Sequence, residues 1–131
     1  MGGRLTVVVA GDDLLFATRV ASALTKSGHR PRIVRTAEAF REALREGPDA
    51  GILNLASRRL DAVRAIREAR TDPDTRTIPL LGFCGHADTA RRTAAQAAGC
   101  DLVATNAEIV TNLPRLLGAL LGIPRASTSR C

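Results

Sequence analysis

The stretch Gly51-Ile52-Leu53 is apolar without alternation, follows the turn signal Gly47-Pro48 and ends at Asn54. It is too short for a helix and offers no polar side to water, so it predicts a central strand buried on both faces. Strands of that kind belong to parallel sheets covered by helices above and below. In an open parallel sheet the carboxyl ends of the strands face the ligand crevice, so residue 54 stands where the available chemistry is decided. Here that residue is a carboxamide.

The rest of the chain repeats the pattern. Leu5-Thr6-Val7-Val8-Val9-Ala10 is a β-branched run that delivers Asp12 and Asp13 to a loop, and either carboxylate can cap the helix that follows. Pro31 to Arg35 alternates enough to lie near a sheet edge. Ile78 to Cys84 tolerates Pro79 near its start, and Asp101 to Ala104 is a brief fifth strand. Between these runs, apolar residues recur at helical spacing: Phe16, Val20 and Leu24; Phe40, Ala43 and Leu44 after the N-cap candidate Thr36; and Ala62, Val63 and Ile66 within Arg58 to Arg70. Asp88 to Ala98 is alanine-rich, with Gly99 as its stop, and its small side chains predict the least firmly anchored helix. A last helix starting at Thr111 or Asn112 puts Pro114 in its first turn, with Leu116, Leu117, Leu120 and Leu121 as its stripe. Five strands alternating with five helices imply an α/β fold, a doubly wound parallel sheet. Its crevice gathers Asp12, Asp13, Asn54, Cys84 and the loop around Asn106.

With aromatic residues at only 2%, aliphatic side chains and alanine must fill the core. One domain over residues 1–121 and a flexible tail over 122–131 are expected, with no separate DNA-binding or catalytic domain after it. No apolar run approaches the ~20 residues of a membrane span, and Met1-Gly2-Gly3-Arg4 leads straight into a strand, so a cytoplasmic protein is expected. Cys84, Cys100 and Cys131 give no disulfide framework. Cys84 and His86 invite a thiolate or soft-metal reading but lack a third partner, and His29 reads as a surface turn residue. The net charge of +6 comes from eighteen arginines and one lysine, Lys26. These are spread along helix faces with almost nothing aromatic for bases to stack on, so no nucleic-acid partner is expected.

Particular residues add a family likeness over about Leu5 to Leu121. They are Asp12-Asp13 after the first strand, Gly28-His29 after the first helix, Pro48-Asp49 before the third strand, Asp61 beyond it, Ile78-Pro79 before the fourth and Ala98-Gly99-Cys100-Asp101 before the fifth. In that order and at those intervals the chain resembles the receiver domain of bacterial two-component response regulators, the CheY-like fold. The resemblance implies a five-stranded flavodoxin-like sheet of order 2-1-3-4-5. For active members it implies an aspartate that ends the third strand and accepts a phosphoryl group, Mg²⁺ held by the acidic pair, a serine or threonine ending the fourth strand and a lysine ending the fifth. This sequence departs at three of these places, with Asn54 for the aspartate, Cys84 for the serine or threonine and Asn106 for the lysine. The aromatic often found on the fifth strand is Val103, and the usual proline four residues after the acceptor is Arg58.

An acyl phosphate needs a carboxylate nucleophile, and a neutral amide has neither the nucleophilicity nor the charge to help hold a metal. Cysteine donates weakly, and Asn106 lacks the cation that would balance phosphoryl charge. Asp12, Asp13, Asn54, Cys84 and Asn106 therefore read as a degenerate phosphorylation pocket without catalytic residues, with no cofactor expected and Asp12 and Asp13 as the only metal candidates. The expectation is a non-phosphorylatable signalling module that binds a protein partner or a second copy of itself through the fourth helix, fifth strand and fifth helix, with Arg91, Arg92 and Val103 on that face. Two alternatives stand beside it: a small molecule held in the emptied pocket, and a receiver fragment of a larger transcriptional regulator. Arg58 and Arg59 read first as internal partners that neutralise Asp12, Asp13 or Asp61 and second as anion-binding groups.

Overall fold

The computed structural model describes residues 3–123. The expected tail falls mainly on residues 124–131, which with Cys131 lie outside the described residues. Strands β1 (Thr6–Ala10), β2 (Arg30–Val34), β3 (Ala50–Asn54), β4 (Leu80–Cys84) and β5 (Leu102–Thr105) alternate with helices α1 (Leu14–Lys26), α2 (Ala37–Arg45), α3 (Ala62–Thr71) and α4 (Thr89–Ala98). Two short helices, α5 (Asn106–Thr111) and α6 (Leu113–Leu121), follow. All strand pairs are parallel, and the order is β2-β1-β3-β4-β5. This is the flavodoxin-like arrangement expected.

The period-two alternation of the strands divides the interior into two layers. Val7, Val9, Ile52, Leu81 and Phe83 face α1, α5 and α6, where they meet Val20, Leu24, Ile109, Leu117 and Leu120. Val8, Leu53, Leu80, Cys84 and Val103 face α2, α3 and α4, where they meet Phe40, Leu44, Ile66 and Ala95. Every residue of β3 and of β4 is buried. Since burying one large aliphatic side chain contributes about 1.5–3 kcal/mol, these two strands anchor both layers.

Local signals set most boundaries. Thr36 caps α2 by accepting from the Ala39 amide at 3.0 Å, and Gly28, Gly47 and Gly99 take positive φ in the turns that end α1, α2 and α4. Three sequence expectations need correction. Helix α3 starts at Ala62 rather than Arg58, because Asp61 accepts from the Arg64 amide and so caps the helix there, leaving residues 58–60 as a loop. The loop expected around Asn106 is instead helix α5, held by a capping box: Thr105 Oγ1 accepts from the Glu108 amide, and the Glu108 carboxylate accepts from the Thr105 amide. Helix α6 buries Leu113, Leu117 and Leu120, while Leu121 is 43% exposed. As the alanine content implies, α4 presents little apolar area, with only Ala95 and Ala98 buried.

A polar clamp closes the amino-terminal side of the sheet. Arg70 donates to the carbonyls of Gly99, Arg76 and Ile78 at 2.8–2.9 Å and pairs with Asp101 at 2.6 Å. The same Asp101 oxygen accepts from the Leu80 amide. Both side chains are mostly buried, so removing one partner strands the other. Replacing Arg70 by Met is expected to cost about 3 kcal/mol, seen as a lower urea midpoint at unchanged slope. The same change at the exposed Arg64, which pairs with Glu68 on the surface, is expected to cost under about 0.5 kcal/mol.

Candidate functional site

At the carboxyl edge of the sheet, β1 passes very close to β3. A Cβ on Gly11 would lie 3.0 Å from Asn54 Cβ and 3.3 Å from Ser57 Oγ, so only glycine allows the approach without displacement. The approach seats the β1–α1 loop against the β3–α3 loop. The Asp12 amide donates to Ser57 Oγ at 3.4 Å, and the Asp12 carboxylate accepts from the Arg59 amide. Asp13 caps α1, accepting from the Phe16 amide at 3.2 Å.

Asn54 ends β3 with only 8% of its surface exposed. Its Oδ1 accepts from the Ala56 amide at 3.0 Å, and its own carbonyl accepts from the Ser57 amide at 3.2 Å. The side chain thus imitates a backbone turn and steers the chain out of the sheet. Together these elements enclose a crevice of about 520 Å³ lined by Asp12, Asp13, Phe16, Asn54, Ala56, Arg58 and Asn106. The Phe16 ring lies 5.0 Å from that of Phe83 and forms the apolar wall. Arg58 also lines a neighbouring groove of about 480 Å³ that runs past Asp61 to Asp88 and Arg91 on α4.

Four of the five residues read from sequence as one pocket, Asp12, Asp13, Asn54 and Asn106, line this crevice; Cys84 does not. Strand parity explains the exception. Phe83 is level with Asn54 and turns to the α1 side, which sends Cys84 into the layer beneath α3 and α4, where it is fully buried with its Sγ 3.8 Å from the Asp88 carbonyl. Val103 is corrected for the same reason, since it packs in that layer at 9% exposure and is not an outward contact residue. Of the outward face proposed for α4, Arg91 is exposed and paired with Asp88, whose carboxyl it holds below the usual carboxylate range, and Arg92 is half-buried. His86 is exposed while Cys84 is not, so the two form no common site. His29 does more than turn the chain: its Nδ1 accepts from the Leu5 amide at 3.1 Å. Sequence reading missed the exposed pair Leu14 and Leu15 at the start of α1, for which the signal available was two leucines outside the Phe16, Val20, Leu24 stripe.

The crevice does not fit a magnesium centre of three carboxylates. Each acidic side chain already holds a backbone amide through one oxygen, and the third position offers a neutral amide whose oxygen is engaged by Ala56. Among the described residues no group of three or more His, Cys, Asp or Glu side chains is placed to hold a metal ion. Burial pushes the Cys84 thiol above its ordinary value, with Asp88 adding to the effect, and burial raises Cys100 to about 11, which opposes a thiolate at either position.

The five-stranded parallel sheet of order β2-β1-β3-β4-β5 flanked by helices is the flavodoxin-like receiver fold. The structure is similar to that of a protein described as a response regulator from Chloroflexus aurantiacus (TM-score 0.77, 21% identity, 88% of this chain and 99% of that one). It is also similar to the receiver domain of a sensor histidine kinase from Pseudomonas aeruginosa, solved with magnesium in its active-site cleft (TM-score 0.77, 24% identity, 92% and 100%). NtrX from Brucella abortus gives a TM-score of 0.78 at 20% identity over 91% of this chain and 27% of that one, so the chain spans about a quarter of that structure. No protein-family model and no curated protein matches the sequence. Among the described residues no helix is long and apolar enough to cross a membrane.

Burial of the Cys100 thiol makes the fold less stable at high pH. The thiol's folded value of about 11 exceeds the ordinary 9.0, so the native state holds this proton more tightly than the unfolded chain. The corresponding stability is present below pH 9 and lost between 9 and about 11. Chemical denaturation across that window should show wild type losing more stability than Cys100→Ala.

Proposed function

We propose that this protein is a cytoplasmic pseudo-receiver, a signalling module that keeps the receiver architecture but does not take up a phosphoryl group and acts by binding a protein partner or a second copy of itself. The observation that carries this reading is the Asn54 carboxamide at the end of β3, with its oxygen engaged by the Ala56 amide. A phosphoryl transfer there lacks the carboxylate that would attack and, with Asn106 following β5, the cation that would hold the product. The buried Cys84 removes the hydroxyl that would assist from β4.

The partner surface in this reading is the outer face of α4, where Arg91 stands exposed over a helix anchored by two alanines. Val103 takes no part in that face. The similarity to one quarter of the NtrX structure supports a second arrangement, in which the same domain is the receiver portion of a longer regulator.

Incubation with acetyl phosphate and Mg²⁺, followed by intact-mass measurement, is expected to leave the wild-type mass unchanged. A labile gain of one phosphoryl group would refute the proposal. Asn54→Asp is expected to label poorly, because it restores the nucleophile without the hydroxyl or the cation. Efficient labelling of that variant would show that Cys84 and Asn106 suffice. Reversal of Arg91 and Arg92 to Glu should weaken partner binding or self-association roughly tenfold and change its salt dependence.

A further inference from the structure

We infer that the crevice between the β1–α1 and β3–α3 loops is a binding site for a small zwitterion carrying an ammonium and a carboxylate, of which a free amino acid is the simplest case. This goes beyond the interaction role and stands on the crevice alone.

The first observation is an unmatched donor. Asn54 is 92% buried, the complement of its 8% exposure, and the Ala56 amide fixes its orientation, because the opposite amide rotamer would set two donors against each other. Its Nδ2 therefore projects away from that turn, and among the described residues it meets no acceptor. Leaving a buried donor without one is unfavourable, and the wall on which this one stands belongs to the crevice. The group that completes it is an acceptor, and a carboxylate oxygen is the strongest available.

The second observation is the placing of charge. Asp12 and Asp13 each use one oxygen on a backbone amide, at Arg59 and Phe16, and among the described residues each keeps the other oxygen without a partner. Arg58 lines the same crevice with no ion pair among the described residues, and the Asn106 carboxamide adds a further uncommitted donor and acceptor. Two carboxylates on the β1 loop thus line one crevice with one guanidinium and one amide NH₂ on the β3 side.

That arrangement selects by exclusion as well as attraction. A simple anion would satisfy Arg58 and Asn54 but meet Asp12 and Asp13. A simple cation would satisfy the carboxylates but leave Asn54 Nδ2 unmatched and meet Arg58. A molecule bearing both charges answers all four groups, its ammonium toward Asp12 and Asp13 and its carboxylate toward Asn54 Nδ2 and Arg58. The volume of about 520 Å³ is in the range of small-molecule sites, and the Phe16 ring offers an apolar surface to a side chain.

The test is calorimetric titration of the full chain with each of the twenty protein amino acids at millimolar concentration, with sodium acetate, ethylamine hydrochloride and magnesium chloride as single-charge probes. At least one amino acid should bind saturably and the three probes should not. Affinity for it should fall at least roughly tenfold in Arg58→Gln and in Asp13→Asn, where asparagine preserves the helix cap while removing the charge. Both sites are exposed, so both variants should give the wild-type circular dichroism spectrum. Asn54→Ala should also lose binding. The inference is overturned if no amino acid binds, if acetate, ethylamine or magnesium binds as tightly as the best amino acid, or if Arg58→Gln and Asp13→Asn bind as wild type does.

Discussion

Burial of β3 on both faces is the constraint from which the rest of this molecule follows. With Ile52 turned to one helical layer and Leu53 to the other, no side of the strand is left for water, and polar function is confined to its carboxyl end. Gly11 makes that end a site rather than a terminus, since the absence of a Cβ lets β1 come within contact distance of Asn54 and Ser57. A larger residue at position 11 would have to push Asn54 or Ser57 aside by a few tenths of an ångström.

The polar groups at this edge have been drawn into local backbone roles. Asp13 closes the first turn of α1, Asp12 holds the Arg59 amide and Asn54 shapes the turn into the β3–α3 loop. Each of these bonds fixes one oxygen and leaves the remainder of the group facing the cavity. The same residues thereby stiffen the two loops and define a pocket of mixed charge, a different chemistry from three carboxylates converging on one ion. At the amino-terminal side of the sheet Arg70 and Asp101 do the equivalent mechanical work, tying three chain segments together.

Much of this was legible before any coordinates. Unalternating apolar runs mark β1, β3 and β4, and Thr36, Gly47 and Gly99 punctuate the helices, because short-range sterics and capping act through neighbours in sequence. Helix α5 was also readable, from the Thr105-Asn106-Ala107-Glu108 capping box, but Pro114 drew the helix start later than it is. The segment from Arg58 keeps helical spacing, but the Asp61 cap starts α3 only at Ala62. The errors at Cys84 and Val103 have another origin. Cys84 ends β4 and Val103 lies within β5, yet each strand alternates, and whether a side chain meets the crevice, the surface or the layer beneath α4 depends on register with its neighbours.

What the chain determines by itself is the set of local choices: which segments are strands or helices, where they stop, and that residue 54 is an amide and not an acid. Those follow from propensity, spacing and functional-group chemistry within a few residues. Tertiary structure alone decided that Arg58 joins Asp12, Asp13 and Asn54 at one cavity while Cys84 lies beneath α4, because those placements depend on loop path, strand order and parity. Which groups stay without a partner is likewise a property of the packed molecule, since a side chain's neighbours exist only once the sheet has formed.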